Sequence, residues 1–536
     1  MAVDVTALID RLLDRENELS PPSATYKGIH DYDEEWDDPG PEGLAAYEAL
    51  LAEYIPAVEG AAASASAEEA VDLTLARARL AQLDVYLRVL EAPRRNPLGV
   101  PATVIQTLFV MLVREYAPLA ERLGAMRARL EKVPAYCEAA KAIFERPVAR
   151  FTSQAEEMVT HGGPFLAQVL PAVAAKEGSS HAAAVQAAGE AAAAALADFV
   201  AHVKSLPARD DFAAGREAFD RLLQEYHLLD YDADSLLAFG EEALAQVQAE
   251  MVELADQIQP GAAPAEIIET FKRDHPAPEE ILPFYREWMD RCRQFVVDRD
   301  LCGIPEGEEL EVIPTPEFER SVIPYGAYMP PAAYEKRQKG FFYVTPVEAE
   351  APPEVQAQKL AGHNRVKVPV VALHEAYPGH HLQLCWANKI ERRIRRETHS
   401  NPLIEGWALY CEEMMREQGF YEDDRMVLGQ KKDTLWRAAR VVLDSSLHTG
   451  RMTFEEAVDF MVDVVALERV NAEAEVKRYI YTPTQPMSYL AGKHEIMKLR
   501  EEYRRARPDD TLRAFHDRLL AVGSLPIKLV REAVLA

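Results

Sequence analysis

A proline four residues after a histidine constrains this chain more than any other single feature. The segment reads His374-Glu375-Ala376-Tyr377-Pro378-Gly379-His380-His381, and three of the fourteen histidines fall within it. In a continuous helix Pro378 would donate no backbone N–H, and its ring would clash with the carbonyl of His374. At 3.6 residues per turn, position i+6 lies about 120° around from i, and i+7 lies about 10 Å along the axis. The helix is therefore expected to break or bulge across Tyr377–Gly379, in a loop that returns a later histidine to His374.

The residue types suggest why it should return. Val368-Pro-Val-Val-Ala-Leu373 precedes the motif and should be buried, and a His-Glu pair beside such a core is costly unless each group has a partner. The usual zinc helix carries His at i and i+4 with Glu at i+1. Here i+4 is Pro378, and two nitrogens each about 2.0–2.1 Å from one zinc ion cannot lie 10 Å apart. His374 is the first candidate ligand. Gly379-His380 is similar to the Gly-His of ordinary zinc-helix sites, which favours His380 as the second. His381 is the alternative ligand, or a residue that supports the site or touches substrate.

A third ligand is sought downstream. Asn401-Pro-Leu-Ile-Glu405-Gly-Trp-Ala-Leu-Tyr-Cys-Glu412-Glu413 opens with a helix-start signal, Asn followed by Pro. Glu405 on that helix is the candidate. Glu412, seven residues on and on the same face, suits a carboxylate that orients a ligand histidine. Two His and one Glu with an open fourth position form a catalytic Zn2+ set. Glu375 is then the general base that takes a proton from water and delivers it to a leaving amine.

Around this motif the chain reads as mainly α. Residues 1–300 form one helical region, with apolar residues at three- and four-residue spacing over 67–92 (Val71, Leu73, Leu75, Leu80, Leu83, Tyr86, Leu87, Leu90) and an alanine-rich run over 181–205 that implies close helix packing. Breaks are expected at Ser20–Gly43, Ala92–Pro101 and His161–Pro164. Residues 301–536 open with three short β-branched or aromatic runs, Leu310–Pro314, Ser321–Tyr328 and Gly340–Thr345, which read as a small sheet, and then return to helix. Neither a linker nor a repeat separates the two regions, so they read as one continuous domain. A sheet just upstream of the histidines suits a site wall, because an edge strand aligns an extended peptide.

Charge and cysteine usage narrow the partners. Lys plus Arg total 59 against 88 Asp plus Glu, a net charge of −29, which disfavours nucleic acid and anionic membranes. Five scattered cysteines without a CxxC pair suit a reducing compartment. Met1–Asp10 reads as the start of an amphipathic helix, not a signal peptide. No run approaches 18 uncharged apolar residues, so no membrane span is expected. The expected location is cytoplasmic. Oligomeric state is not legible.

At these residues the chain resembles a bacterial family catalogued as domain of unknown function 885. The family carries a His-Glu-Ala-x-Pro-Gly-His-His motif, a Glu-Gly-Trp-Ala-Leu-Tyr segment and a Pro-x-Gln-x-x-Ser-Tyr-x-x-Gly segment. They stand here as residues 374–381, Glu405–Tyr410 and Pro483–Gly492. Val442–His448 is also similar to a family segment. One departure is Thr484, where members often have Gly. The resemblance implies a large helical fold akin to the glutamate-ligand zinc peptidases of the thimet-oligopeptidase and thermostable-carboxypeptidase class, with a small sheet beside the active-site helix and residues 1–300 walling a deep cleft.

A zinc peptidase needs a donor for the developing oxyanion. Tyr489 is the first candidate and His448 the second. Arg478 suits a substrate carboxylate or, equally, an ion pair with Glu475 three residues earlier. Tyr328, in Pro324-Tyr-Gly-Ala-Tyr328, is expected to line the substrate site. Three functions follow as expectations: zinc-dependent cleavage of short peptides, zinc-dependent hydrolysis of a non-peptide amino-acid conjugate, or a silent zinc-binding scaffold. Glu375 argues against the scaffold, since a ligand set does not need it. No Walker loop, GxGxxG or GxSxG motif is present.

Overall fold

The computed structural model describes residues 4–315, 320, 323, 325–348 and 351–536. It is mainly helical with one small sheet, and its chain divides into two compact units. The first comprises Met1–Tyr226 with Ala332–Glu335, the second His227–Pro331 with Lys336–Ala536. The change of sequence character near residue 300 lies inside the second unit.

In the first unit, the opening helix Val5–Leu19 is capped by Asp4, whose carboxylate accepts from the Ala7 N–H at 3.0 Å. It buries Leu8, Ile9, Leu12 and Leu13, as its amphipathic spacing predicts. Ser66 and Glu69 form a reciprocal cap for the helix Ala67–Asp84. Of the expected stripe, Leu73, Leu75 and Leu80 are buried, but Tyr86 is 47% exposed. The chain widens to a π turn over Val85–Val89, which shifts the register of the later positions.

The acidic stretch after Ser20 first forms the short helix Pro21–Lys27 and then runs irregularly. Buried Arg129 holds it down, donating to the carbonyls of Glu35 and Tyr32 and to Thr25 Oγ1 at 2.9–3.1 Å. The expected break at His161–Pro164 is not a stop. The helix Ala149–Pro164 continues through a π turn, Phe165–Val169, into Leu170–Lys176. Pro164 lacks an N–H, and the widened turn absorbs that gap without ending the rod.

The alanine-rich segment forms the helix Ala182–Ser205. A Cβ at Gly189 would overlap the Leu166 carbonyl, so the small residues do permit close backbone approach. Although it carries Glu190 and Asp198, this helix is long and apolar enough by length and composition to cross a membrane. Val185, Ala192, Leu196, Phe199 and Val203 are nonetheless buried against neighbouring helices, as in the core of a bundle.

The second unit holds the sheet, in the order β1-β3-β2: β1 (Glu308–Pro314) runs parallel to β3 (Gln338–Val344), and β2 (Gly326–Met329) antiparallel to it. All three strands arise where β-branched and aromatic runs predict them. Residues 321, 322 and 324 of the second run, like residues 1–3, lie outside the described residues. Helix Ile281–Asp298 covers the sheet, with Tyr285 stacked on Phe342 at 5.6 Å and Arg286 donating to the Val312 carbonyl. All five cysteines are buried and unpaired.

Candidate metal centre

The helix Lys367–Glu375 starts where Asn364 Oδ1 accepts from the N–H groups of Val366 and Lys367, and it buries Val368, Val370 and Leu373. It stops at Glu375, as Pro378 requires. Ala376 leaves helical geometry, and a second helix, His380–Ala387, begins after Gly379. The loop doubles back so closely that a Cβ on Gly379 would overlap the carbonyl of His374. Only glycine fits there, and the result is the predicted return. The rings of His374 and His380 lie 4.8 Å apart at 86°.

A third helix, Asn401–Glu417, supplies the carboxylate. Its Trp407 is fully buried and donates from Nε1 to the Pro378 carbonyl at 2.8 Å, which pins the loop to this helix. Glu405 Oε2 lies 3.3 Å from His380 Nε2. Ligand atoms of His374, His380 and Glu405 all lie within 4.8 Å of one another.

Two turns on, Glu412 is 1% exposed, and its Oε1 accepts from His374 Nδ1 at 2.8 Å. That bond fixes the tautomer of His374 and turns its Nε2 toward the other two donors. Gln430 reaches the second Glu412 oxygen at 3.5 Å.

The donor set fits a divalent cation. Two imidazole nitrogens at about 2.0–2.1 Å from a tetrahedral ion, with a carboxylate at about 2.0–2.2 Å, stand roughly 3.3–3.4 Å from each other; the His380–Glu405 pair is at 3.3 Å, and the whole set, within 4.8 Å, needs only a small contraction to close on an ion. Burial alone would raise the pKa of Glu405, but the His380 hydrogen bond, the two histidine charges and the Tyr489 hydroxyl lower it to about 2. Burial likewise opposes charge on His380, while Glu405, Glu375 and Glu412 raise its pKa. The carboxylates thus attract a positive charge to this point, a proton or a metal ion. His380 Nδ1 is buried with no hydrogen-bond partner among the described residues. Glu375, partly exposed at the helix end, makes no side-chain hydrogen bond or ion pair among the described residues, and its charge acts on both His380 and Tyr328.

His381 takes no part in this group. It is fully buried, with Nε2 at 2.7 Å from Glu308 on β1 and Nδ1 at 2.9 Å from the Tyr328 hydroxyl on β2. The Nε2–H donates to the carboxylate, and Nδ1 accepts from the phenol. Tyr377 also donates to Glu308, at 2.5 Å. A Cβ on Gly340 of β3 would lie 2.8 Å from His381 Nδ1 and 2.9 Å from the Tyr328 oxygen, so glycine there makes room for the pair. The sheet thus clasps His381, and Tyr328 is its partner.

The last motif brings Tyr489 to Glu405. Helices Asn401–Glu417 and Ser488–Ala506 cross where Gly406 meets Gly492, and a Cβ on Gly492 would overlap the Pro402 carbonyl. This crossing brings Tyr489 close enough for its hydroxyl to act on the Glu405 carboxylate. Gln485 accepts from Arg478 at 2.8 Å, while Arg478 pairs with Glu475 at 3.0 Å. Arg478 therefore takes the ion-pair role. Thr484 has φ +68°, a left-handed value that glycine adopts freely. Here its N–H donates to Asp444, and its hydroxyl meets His227 at 2.9 Å.

His448 is not brought to the group. It is fully buried, and its Nε2 donates to the Tyr479 carbonyl at 3.1 Å, so an oxyanion role finds no support in its placement. Reading of the sequence missed Glu308, Gln430, and Arg437 and Arg440 beside the Tyr489 ring. Glu308 sits in an acidic run with nothing to single it out.

Fold and donor set together define a mainly helical protein with a His-His-Glu group on three helices. The chain belongs to the family described as "Bacterial protein of unknown function (DUF885)", which matches residues 21–534. No curated protein matches it. Two solved structures share the fold, each described as a "putative lipoprotein". The one from Shewanella oneidensis, also described as of unknown function, is 24% identical with a TM-score of 0.82 and full coverage of both chains. That from Colwellia psychrerythraea is 17% identical with a TM-score of 0.82, covering 99% of this chain and 98% of the other. At these identities the likeness is one of fold alone.

Proposed function

We propose that this protein is a zinc-dependent hydrolase that cleaves peptide bonds of short peptides. The observation that carries the reading is the convergence of His374, His380 and Glu405 within 4.8 Å, with Glu412 bonded behind His374 and the Glu375 carboxylate left without a partner among the described residues. A structural site needs no such free base. Zinc in a three-ligand set of this kind supplies Lewis acidity for a water nucleophile and for a carbonyl. Glu375 takes the proton from the attacking water and returns it to the leaving nitrogen. Tyr489, placed by the Gly406–Gly492 crossing, donates a hydrogen bond to charge that develops on the carbonyl oxygen.

The same proposal includes a kinship with glutamate-ligand zinc peptidases, a deep substrate cleft, a short-peptide partner and a cytoplasmic location. Digestion of a defined peptide library by the zinc-loaded protein and by Glu375→Gln tests it. Cleavage by the wild type that Glu375→Gln loses by about 100-fold or more is expected for a general base. Equal cleavage by both rejects this mechanism. No cleavage by either, with zinc bound, favours the amino-acid-conjugate or scaffold reading.

A further inference from the structure

Behind Tyr489 lies a group of cations that the hydrolytic residues do not use. The Arg440 guanidinium is 4.8 Å from the centre of the Tyr489 ring, and that of Arg437 is 5.8 Å away. These two arginines stand one turn apart on the helix Asp424–His448, and Arg478 approaches from the helix Arg469–Tyr481. Glu475 serves two of the three at once, accepting from Arg440 at 2.9 Å and Arg478 at 3.0 Å. Arg440 also donates to the Tyr479 hydroxyl at 3.0 Å.

Arg437 is served poorly. Its Nη1 lies 3.3 Å from the Asp433 carbonyl and 3.5 Å from the Asp433 carboxylate. Its Nε is buried with no hydrogen-bond partner among the described residues. Three guanidinium groups therefore share two carboxylates, and Arg437, on the longer of these ion pairs, is the one whose Nε has no partner among the described residues. A buried donor without a partner is rare in folded proteins. The planar guanidinium fork matches a carboxylate at two points.

We propose that Arg437, with Tyr489, forms an anion subsite beside the metal ligands that takes the free C-terminal carboxylate of the substrate. This rests on the peptidase reading and narrows it to cleavage near the C-terminus. Tyr489 spans the gap between Glu405 and the cations. An N-acylated amino acid offers the same carboxylate, so the test separates the two sources.

The full-length, zinc-loaded Glu375→Gln protein is titrated by calorimetry with acetyl-Ala-Ala, with its C-terminal amide and with benzoyl-alanine. The acid is expected to bind about tenfold or more tighter than the amide, as a charge-assisted pair implies. Adding Arg437→Gln should bring that ratio close to one. Arg437→Lys, which keeps the charge and loses the fork, should fall between. It stands in if the glutamine variant loses zinc or helix content. A ratio near one in the parent, or an unchanged ratio in a folded Arg437 variant, overturns the subsite. Tighter binding of benzoyl-alanine than of acetyl-Ala-Ala overturns the peptide assignment. If the active protein cleaves no peptide while Arg437-dependent acid binding persists, the subsite stands and the peptidase reading falls. Cleavage indifferent to the terminal carboxylate sinks the subsite alone.

Discussion

Glu412 accepts a hydrogen bond from Nδ1 of His374 at 2.8 Å, from a position two helical turns beyond Glu405 on the same helix. One helix thus contributes a candidate ligand and the carboxylate that orients a second. Such outer partners fix ring orientation and raise ligand basicity, and their loss typically costs about 10–100-fold in metal affinity. Glu412→Ala should weaken zinc binding by that amount in a competitive chelator titration. Glu412→Gln, which keeps an acceptor oxygen, should weaken it less. Wild-type affinity in Glu412→Ala would show that the pair does not orient a ligand.

The crossing of Gly406 and Gly492 leaves no room for a methyl group. In Gly492→Ala the new Cβ would meet the Pro402 carbonyl, which belongs to backbone and yields little. Overpacking of this kind costs about 1–3 kcal/mol. Urea unfolding should report a lowered midpoint for Gly492→Ala. Because Tyr489 lies one turn from the contact, peptide turnover in the still-folded variant should fall as well. An unchanged midpoint would mean that the two helices are free to part.

The candidate site was legible where chemistry and spacing act locally. Pro378 four residues after His374 forbids a regular helix whatever the tertiary context, so the break followed from covalent structure. His374, His380 and Glu405 are of types that carry metal chemistry, and the start signal at Asn401 placed the third on a helix. The helical character and the three strands followed from periodicity and from β-branched runs. Partners that meet only through the fold were not legible: Glu308 to His381, Gln430 to Glu412, Gly406 to Gly492. His448 shows the converse. A histidine in a motif-like segment reads as reactive, yet burial gave it a backbone carbonyl as partner. Proline at 164 read as a stop because a π turn that absorbs it has no sequence signature.

His516 offers a test by pH. It is fully buried, with Nδ1 donating to the Leu301 carbonyl at 2.6 Å and Nε2 accepting from the Tyr410 hydroxyl at 2.7 Å. Burial is the main reason its pKa falls from 6.5 to about 4. The unfolded imidazole binds a proton below pH 6.5, whereas the folded one does so only near pH 4. The unfolded state therefore holds more protons in that window, and stability declines as the pH falls through it. Between pH 7 and pH 5 this group alone should remove about 2 kcal/mol. Chemical denaturation at the two pH values should show a smaller difference in His516→Gln than in the wild type. An equal difference in both would assign the pH dependence elsewhere.

The central claim is that His374, His380 and Glu405 hold the metal while His381 is spent on Glu308 and Tyr328. Equilibrium zinc content of single alanine variants, measured by plasma mass spectrometry after dialysis against buffered zinc, tests it directly. About one zinc per chain is expected in the wild type and in His381→Ala, with loss in His374→Ala, His380→Ala and Glu405→Ala. Full zinc in His380→Ala together with loss in His381→Ala would contradict the claim.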